Sequence, residues 1–215
     1  LLGFGVLQMK DPEECERCVR EAFESGYRMF DTAASYGNER EVGNALKKIV
    51  EEGKARREDL FVITKLWIDG ASEVPPMVNQ VELHPFYHQD DALRIMKELG
   101  VQPQAWAPLC EGLKNIFSNK ILEKTGMKYG KTAAQTALRW NIDRGVSVVT
   151  RSSVPEHMGE DQDIWDFSLT EAELSATDQL DLGYSEILDY GNPCIARMFL
   201  KKRSIQAEKA ARVIL

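Results

Sequence analysis

Two spacings of apolar residues alternate along the chain. Cys15, Val19 and Ala22 share one helical face with Cys18 beside them. The run Asp11-Pro12-Glu13-Glu14 ahead of them supplies an N-cap, a first-position proline and a glutamate three residues after the cap. Gly26 stops this helix, and Tyr27 to Asp31 reads as a buried strand. Asn38 to Glu52 predicts a second helix with Val42, Ala45, Leu46 and Ile49 on one face and Gly53 behind it, and the strand Leu60 to Thr64 follows. The pattern resumes with a strand over Met77 to Leu83, a helix over Asp90 to Leu99 ended by Gly100, and a strand over Val101 to Trp106. A helix near Thr132 to Asp143 ends at Gly145, before a strand over Val146 to Val149. Thr170 and Glu173 form a capping box that Leu169 and Leu174 can staple. With Gly3 to Val6 as a first strand there are about six. Helices that lead regularly into β-branched strands predict parallel strands with helical crossovers, an α/β fold.

One interval breaks the rhythm. Between Trp67 and Val74 stand only Ile68-Asp69-Gly70-Ala71-Ser72-Glu73, with no helix. A parallel crossover needs about a dozen residues or more. Either the flanking strands are not neighbours in one sheet, or a segment is absent.

The chain's 215 residues, 43% of them hydrophobic, suffice for one substantial core, so residues 1–215 are read as a single domain. Lys and Arg number 27 against 34 Asp and Glu, a net charge of −7, which argues against a nucleic-acid partner. Lys201-Lys202-Arg203 reads as a solvated face. No apolar run is long enough to span a membrane and no signal-peptide pattern opens the chain. The four cysteines are too few for a disulfide scaffold and read as free thiols, so a reducing cytoplasm is expected. The sequence assigns no oligomeric state.

Chemistry in parallel α/β folds gathers at the carboxyl ends of strands. Those ends carry Asp31, Lys65, Glu82 with His84, Trp106, and Arg151 with Ser152. Asp31, Tyr36 and Lys65 form the most informative group. A phenol keeps its proton at neutral pH, and a nearby ammonium stabilises the phenolate and makes the phenol a usable acid. A carboxylate can hold that ammonium in place. The plainer reading makes Asp31 a strand-end cap, Tyr36 a loop aromatic and Lys65 a solvated charge. His84 and His88 near Glu82 lack a fourth ligand and read as loop or packing residues; no metal is expected.

Longer stretches decide between these readings. Asp31-Thr32-Ala33-Ala34-Ser35-Tyr36-Gly37-Asn38-Glu39, followed by Thr64-Lys65-Leu66-Trp67, resembles the aldo-keto reductase family. So do Leu2-Gly3-Phe4-Gly5, Val78-Asn79-Gln80-Val81-Glu82-Leu83-His84-Pro85 and Ala105-Trp106-Ala107-Pro108-Leu109, in family order over nearly the whole chain. The resemblance implies a (β/α)8 TIM barrel, of which about six strands are present. It also implies reduction of small aldehydes, ketones or dicarbonyls with NADPH, or NADH as the alternative, and is strongest to microbial broad-range carbonyl and diketo-sugar-acid reductases.

On that resemblance Tyr36 is the general acid, Lys65 its pKa modulator and Asp31 the partner of the lysine. Gln80 holds the nicotinamide amide, Trp106 stacks on the nicotinamide ring, and Leu109 belongs to the same cofactor surface. Leu7 and Trp67 line the substrate pocket, and a C-terminal loop around Tyr190 to Met198 overhangs it. Arg151, Ser152, His157, Glu160 and Asp161 fall at the adenosine and 2′-phosphate end. There the family usually carries Lys, Ser, Arg, Glu and Asn, so His157 and Asp161 are expected to weaken NADPH binding.

The family's strand-end His, which orients the carbonyl, and the Asn that holds the carboxamide belong to motifs absent from this chain. His84 matches a different family position and does not replace that His. Three helices and two strands amount to about 60–75 residues at roughly 30 per βα unit. A six-stranded remnant is expected to expose two strand edges and an apolar face. The alternative function is therefore a catalytically impaired barrel that binds nucleotide or a protein partner.

Overall fold

A computed structural model describes residues 2–65 and 77–188. Six strands form one sheet in the order β3-β2-β1-β6-β5-β4, with every pairing parallel. They are β1 (Leu2–Gly5), β2 (Met29–Asp31), β3 (Phe61–Ile63), β4 (Val78–Glu82), β5 (Gln102–Trp106) and β6 (Ser147–Thr150). The strands flanking the short interval, β3 and β4, lie at opposite ends of the sheet. The interval therefore joins two edges rather than two neighbours. This is a (β/α)8 architecture carrying six strands, open where two more would close the ring.

The sheet is curled. Strands β2 and β4 are four spacings apart along it, roughly 19 Å at about 4.8 Å per spacing. Yet Gln80 Nε2 lies 2.9 Å from Asp31 Oδ2 across the concave face. Alternation along the strands sorts side chains between two faces. Gly3, Gly5, Met29, Asp31, Gln80, Gln104 and Val149 turn inward, where space is short. A Cβ on Gly3 would come 2.8 Å from Met29 Cε, and one on Gly5 2.8 Å from Val149 Cγ1. Phe4, Phe30, Ala105 and Val148 turn outward and are wholly buried beneath helices.

Helix α1 (Pro12–Glu24) starts on Asp11, whose carboxylate accepts from Glu14 N at 2.7 Å, and buries Cys15, Cys18, Val19, Ala22 and Phe23. Helix α2 (Glu39–Glu51) buries Val42, Ala45, Leu46 and Ile49, the face its sequence predicts. Helices α3 (Asp90–Glu98), α4 (Lys120–Met127), α5 (Ala133–Asp143), α6 (Pro155–Gln162) and α7 (Glu171–Asp178) complete the outer layer. The boxes at Thr132–Gln135 and Thr170–Glu173 cap α5 and α7. Sequence periodicity did not predict α4 or α6. Each is only two turns long, and α6 buries little beyond Met158 and Asp161. None of the described helices is long and apolar enough to cross a membrane.

The edges differ from the centre. Phe61 on β3 is 59% exposed and Met77, just ahead of β4, 84%. Beside β3 a groove of about 530 Å³ runs between Val62 and the Val42, Leu46 and Val50 side chains of α2. These are the open edges and apolar face expected of a six-stranded barrel.

Candidate active site

Strand β2 ends on Asp31, and the chain then turns through a short 3-10 helix, Ala34–Tyr36. Gly37 closes that turn in the left-handed region, at φ 73°, which a glycine adopts without strain. The turn leaves Tyr36 half-buried at the carboxyl end of the sheet. Lys65 stands two residues beyond β3, and its ammonium donates to Asp31 Oδ1 at 2.5 Å and to the Thr32 carbonyl at 3.0 Å. The same ammonium lies over the Tyr36 ring, 5.0 Å from its centroid. The three residues singled out from the sequence therefore meet.

Asp31 is only 3% exposed. Burial raises its pKa above the usual carboxylate range, although Lys65 and the Gln80 amide pull the other way. Each carboxylate oxygen has its own donor, Lys65 on one and Gln80 on the other. Gln80 also donates to Gln104 Oε1 at 2.8 Å, so both hydrogens of its amide are used within the sheet. Its carbonyl oxygen accepts from none of the described residues. Gln104 was not singled out from the sequence. Its signal is a glutamine in register with Gln80 on the neighbouring strand.

Trp106 ends β5 half-buried, on the same face as Gln104 two residues earlier. Leu109 packs against both apolar clusters of the molecule. Arg151 and Ser152 follow β6 directly. Arg151 is exposed and donates to the Leu7 carbonyl at 2.9 Å, which joins the end of β6 to the loop after β1. Leu7 itself is 44% exposed. Ser152 closes a local turn with Val154. His157 and Glu160 are exposed on α6, whereas Asp161 turns inward. Trp67 and the Tyr190 to Met198 stretch lie outside the described residues.

A second polar cluster sits at the end of β4. Glu82 is buried and accepts from the Ser185 hydroxyl at 2.7 and 2.8 Å. His84 accepts from Phe86 N through Nδ1 at 3.2 Å, so its Nε2 carries the proton toward Glu82, also at 3.2 Å. Both ring nitrogens are committed and the ring is wholly buried. His84 is a packing residue, as its sequence position suggests.

The donor set fits a phosphate-bearing dinucleotide. An exposed guanidinium and a hydroxyl follow β6, and an accessible indole ends β5, all at the same end of the sheet. The family model of the Aldo/keto reductase family matches residues 1–73 and 67–182. Methylglyoxal reductase DkgA of Escherichia coli (strain K12) is 31% identical over 251 positions, covering 85% of this chain and 90% of that protein. Because only 85% of 215 residues take part, several dozen of those positions have no counterpart here. An aldo-keto reductase enzyme from a Medee basin deep-sea metagenome library superposes with a TM-score of 0.80 at 26% identity, covering 89% of this chain and 94% of that one. A putative 2,5-diketo-D-gluconic acid reductase B gives 0.76 at 26% identity, over 87% and 90%.

Proposed function

The chain belongs to the aldo/keto reductase family, and on that premise we propose that it reduces small aldehydes, ketones or dicarbonyls to alcohols, with Tyr36 as the proton donor. The observation that carries this reading is the contact of Lys65 with both the Asp31 carboxylate and the Tyr36 ring.

A reduced nicotinamide dinucleotide, when bound, supplies the hydride to the carbonyl carbon. Tyr36 gives its hydroxyl proton to the carbonyl oxygen as negative charge grows there. The Lys65 ammonium stabilises the phenolate left behind, and Asp31 keeps that ammonium from swinging into solvent. Solvent then returns a proton to Tyr36. Trp106 would offer a flat face to the nicotinamide ring, Leu109 would belong to the same cofactor surface, and the Gln80 carbonyl oxygen would accept from the carboxamide. Arg151 and Ser152 would hold the phosphate end, flanked by His157, Glu160 and Asp161. NADPH is the cofactor this cation favours, with NADH the alternative given the weakened set on α6. Leu7 and Trp67 would line the carbonyl pocket.

Tyr36→Phe tests the reading. Carbonyl turnover should fall by about 10²–10⁴ while dinucleotide binding, read by tryptophan quenching, persists. Unchanged turnover removes Tyr36 from the role. The absence of the family's carbonyl-orienting His favours a second reading, a barrel that binds dinucleotide with little or no turnover. Quenching by NADPH without measurable reduction of methylglyoxal in the unsubstituted protein would establish that one.

A further inference from the structure

Asp161 is the buried member of α6. It is 7% exposed, while His157 and Glu160 on the same helix face solvent. Its carboxyl meets the Tyr27 hydroxyl, which is itself bonded to a second hydroxyl. Tyr27, which leads into β2, places its OH 3.5 Å from Asp161 Oδ2 and 2.8 Å from Thr150 Oγ1. Thr150 is the last residue of β6, so the Tyr27 hydroxyl links that strand end to the Asp161 carboxyl. Three elements therefore converge on one buried acid, and the next residue after Thr150 is Arg151.

Among the described residues, none supplies a cation in direct contact with Asp161. On its own helix the charged or titratable neighbours are His157 and Glu160. From the β2 side there is only the Tyr27 phenol, itself pushed up by burial. Helix α5 presents the neutral Gln135 amide, which donates to the Glu160 and Asp163 carbonyls at 3.0 and 2.9 Å. Helix α1, which also packs on α6, buries thiols as its only titratable groups. Burial pushes Asp161 up to about 6, with the nearby Thr150 hydroxyl and His157 opposing in part.

Resting on the hydride-transfer reading above, we propose that Asp161 is a positioning residue for the dinucleotide. Neutral, it ties α6 to the end of β6 and presents Arg151 and Ser152 to the phosphates; ionised, it weakens that site. Two effects act in the same direction. A buried carboxylate without a counterion strains the junction that carries Arg151, because an ionised group resists low-dielectric surroundings. Its charge also opposes the phosphates through the poorly screened interior.

The test is a binding titration with NADH, whose phosphates do not change charge in the relevant range, from about pH 5 to about pH 8. The readout is tryptophan quenching, with the Kd followed in the unsubstituted protein, Asp161→Asn and His157→Gln. Affinity should weaken on the order of fivefold across the range in the unsubstituted protein. Asp161→Asn should flatten the profile at its acid-side value, and His157→Gln should retain the slope. A slope that survives in Asp161→Asn, or vanishes in His157→Gln, overturns the proposal and leaves the hydride-transfer reading standing. Failure of every form to bind NADH and NADPH at any pH overturns that reading, and this proposal with it.

Discussion

The centre of the sheet and its two edges are built from the same kind of strand but live in different solvents. Every residue of β1 and β2 is buried, and Phe4 and Phe30 have no exposed surface. Along β3 none is buried, and along β4 only Glu82 is. The candidate active site straddles this boundary. Asp31 belongs to the dry centre and Lys65 to the wet edge, its side chain 29% exposed. The buried partner fixes the geometry, and in the proposed function the partly exposed one keeps access to solvent protons. A site placed wholly in either region would lack one of these properties.

Three substitutions sharpen that contrast. The largest effect belongs to the centre. Phe30→Ala removes a fully buried ring beneath α1 and α2 and should cost about 3–5 kcal/mol in urea unfolding. A loss below about 1 kcal/mol would mean the centre is no better packed than the edges.

The second concerns the buried acid at the β6–α6 junction. Folding raises the Asp161 pKa from 3.8 to about 6, so the folded state favours its proton. The cluster's full contribution is present below the unfolded value and is lost as pH rises through the folded one. Asp161→Asn should therefore stabilise the protein by on the order of 3 kcal/mol above pH ~6, shrinking to nothing below pH ~4. Melting temperatures at the two pH values check it, and a gain of equal size at both would contradict the assignment.

The smallest effect belongs to the edge. Phe61→Ser on β3 should change stability by less than about 0.5 kcal/mol, because the ring is mostly exposed. It should also reduce light scattering on concentration, since it removes an apolar side chain from an unpaired strand. A large destabilisation would show that the edge is covered in solution.

Much of this was legible in the sequence, for definable reasons. α1, α2 and α5 carry caps and apolar faces that act within one or two turns, so local pattern predicts them to within two residues, and the capping box marks the start of α7. The Asp31–Lys65 contact was legible because Asp31 ends β2 and Lys65 follows closely on β3, its parallel neighbour. α4 and α6 were not, having too few turns for a periodicity to develop. Nor was the Asp31–Gln80 bond. It depends on how far the sheet curls, a property of all six strands and of no single segment. The turning of Asp161 away from its exposed neighbours likewise depends on Tyr27, more than 130 residues earlier.

The strand order has a consequence for how the chain folds. β1, β2 and β3 with α1 and α2 come from residues 2–63, and β4, β5 and β6 with α3 to α5 from residues 78–150. Each block pairs strands close in sequence, so each meets a modest loop-closure entropy. Within the sheet they join along one line, where Leu2 to Phe4 pair with Val148 to Thr150. That pairing closes a loop of nearly the whole sheet-forming chain, and it is the step contact order makes slow. The sheet is two halves of local pairings joined along a single seam, and Gly5 lies beside that seam, where a Cβ would come 2.8 Å from Val149 Cγ1 on β6.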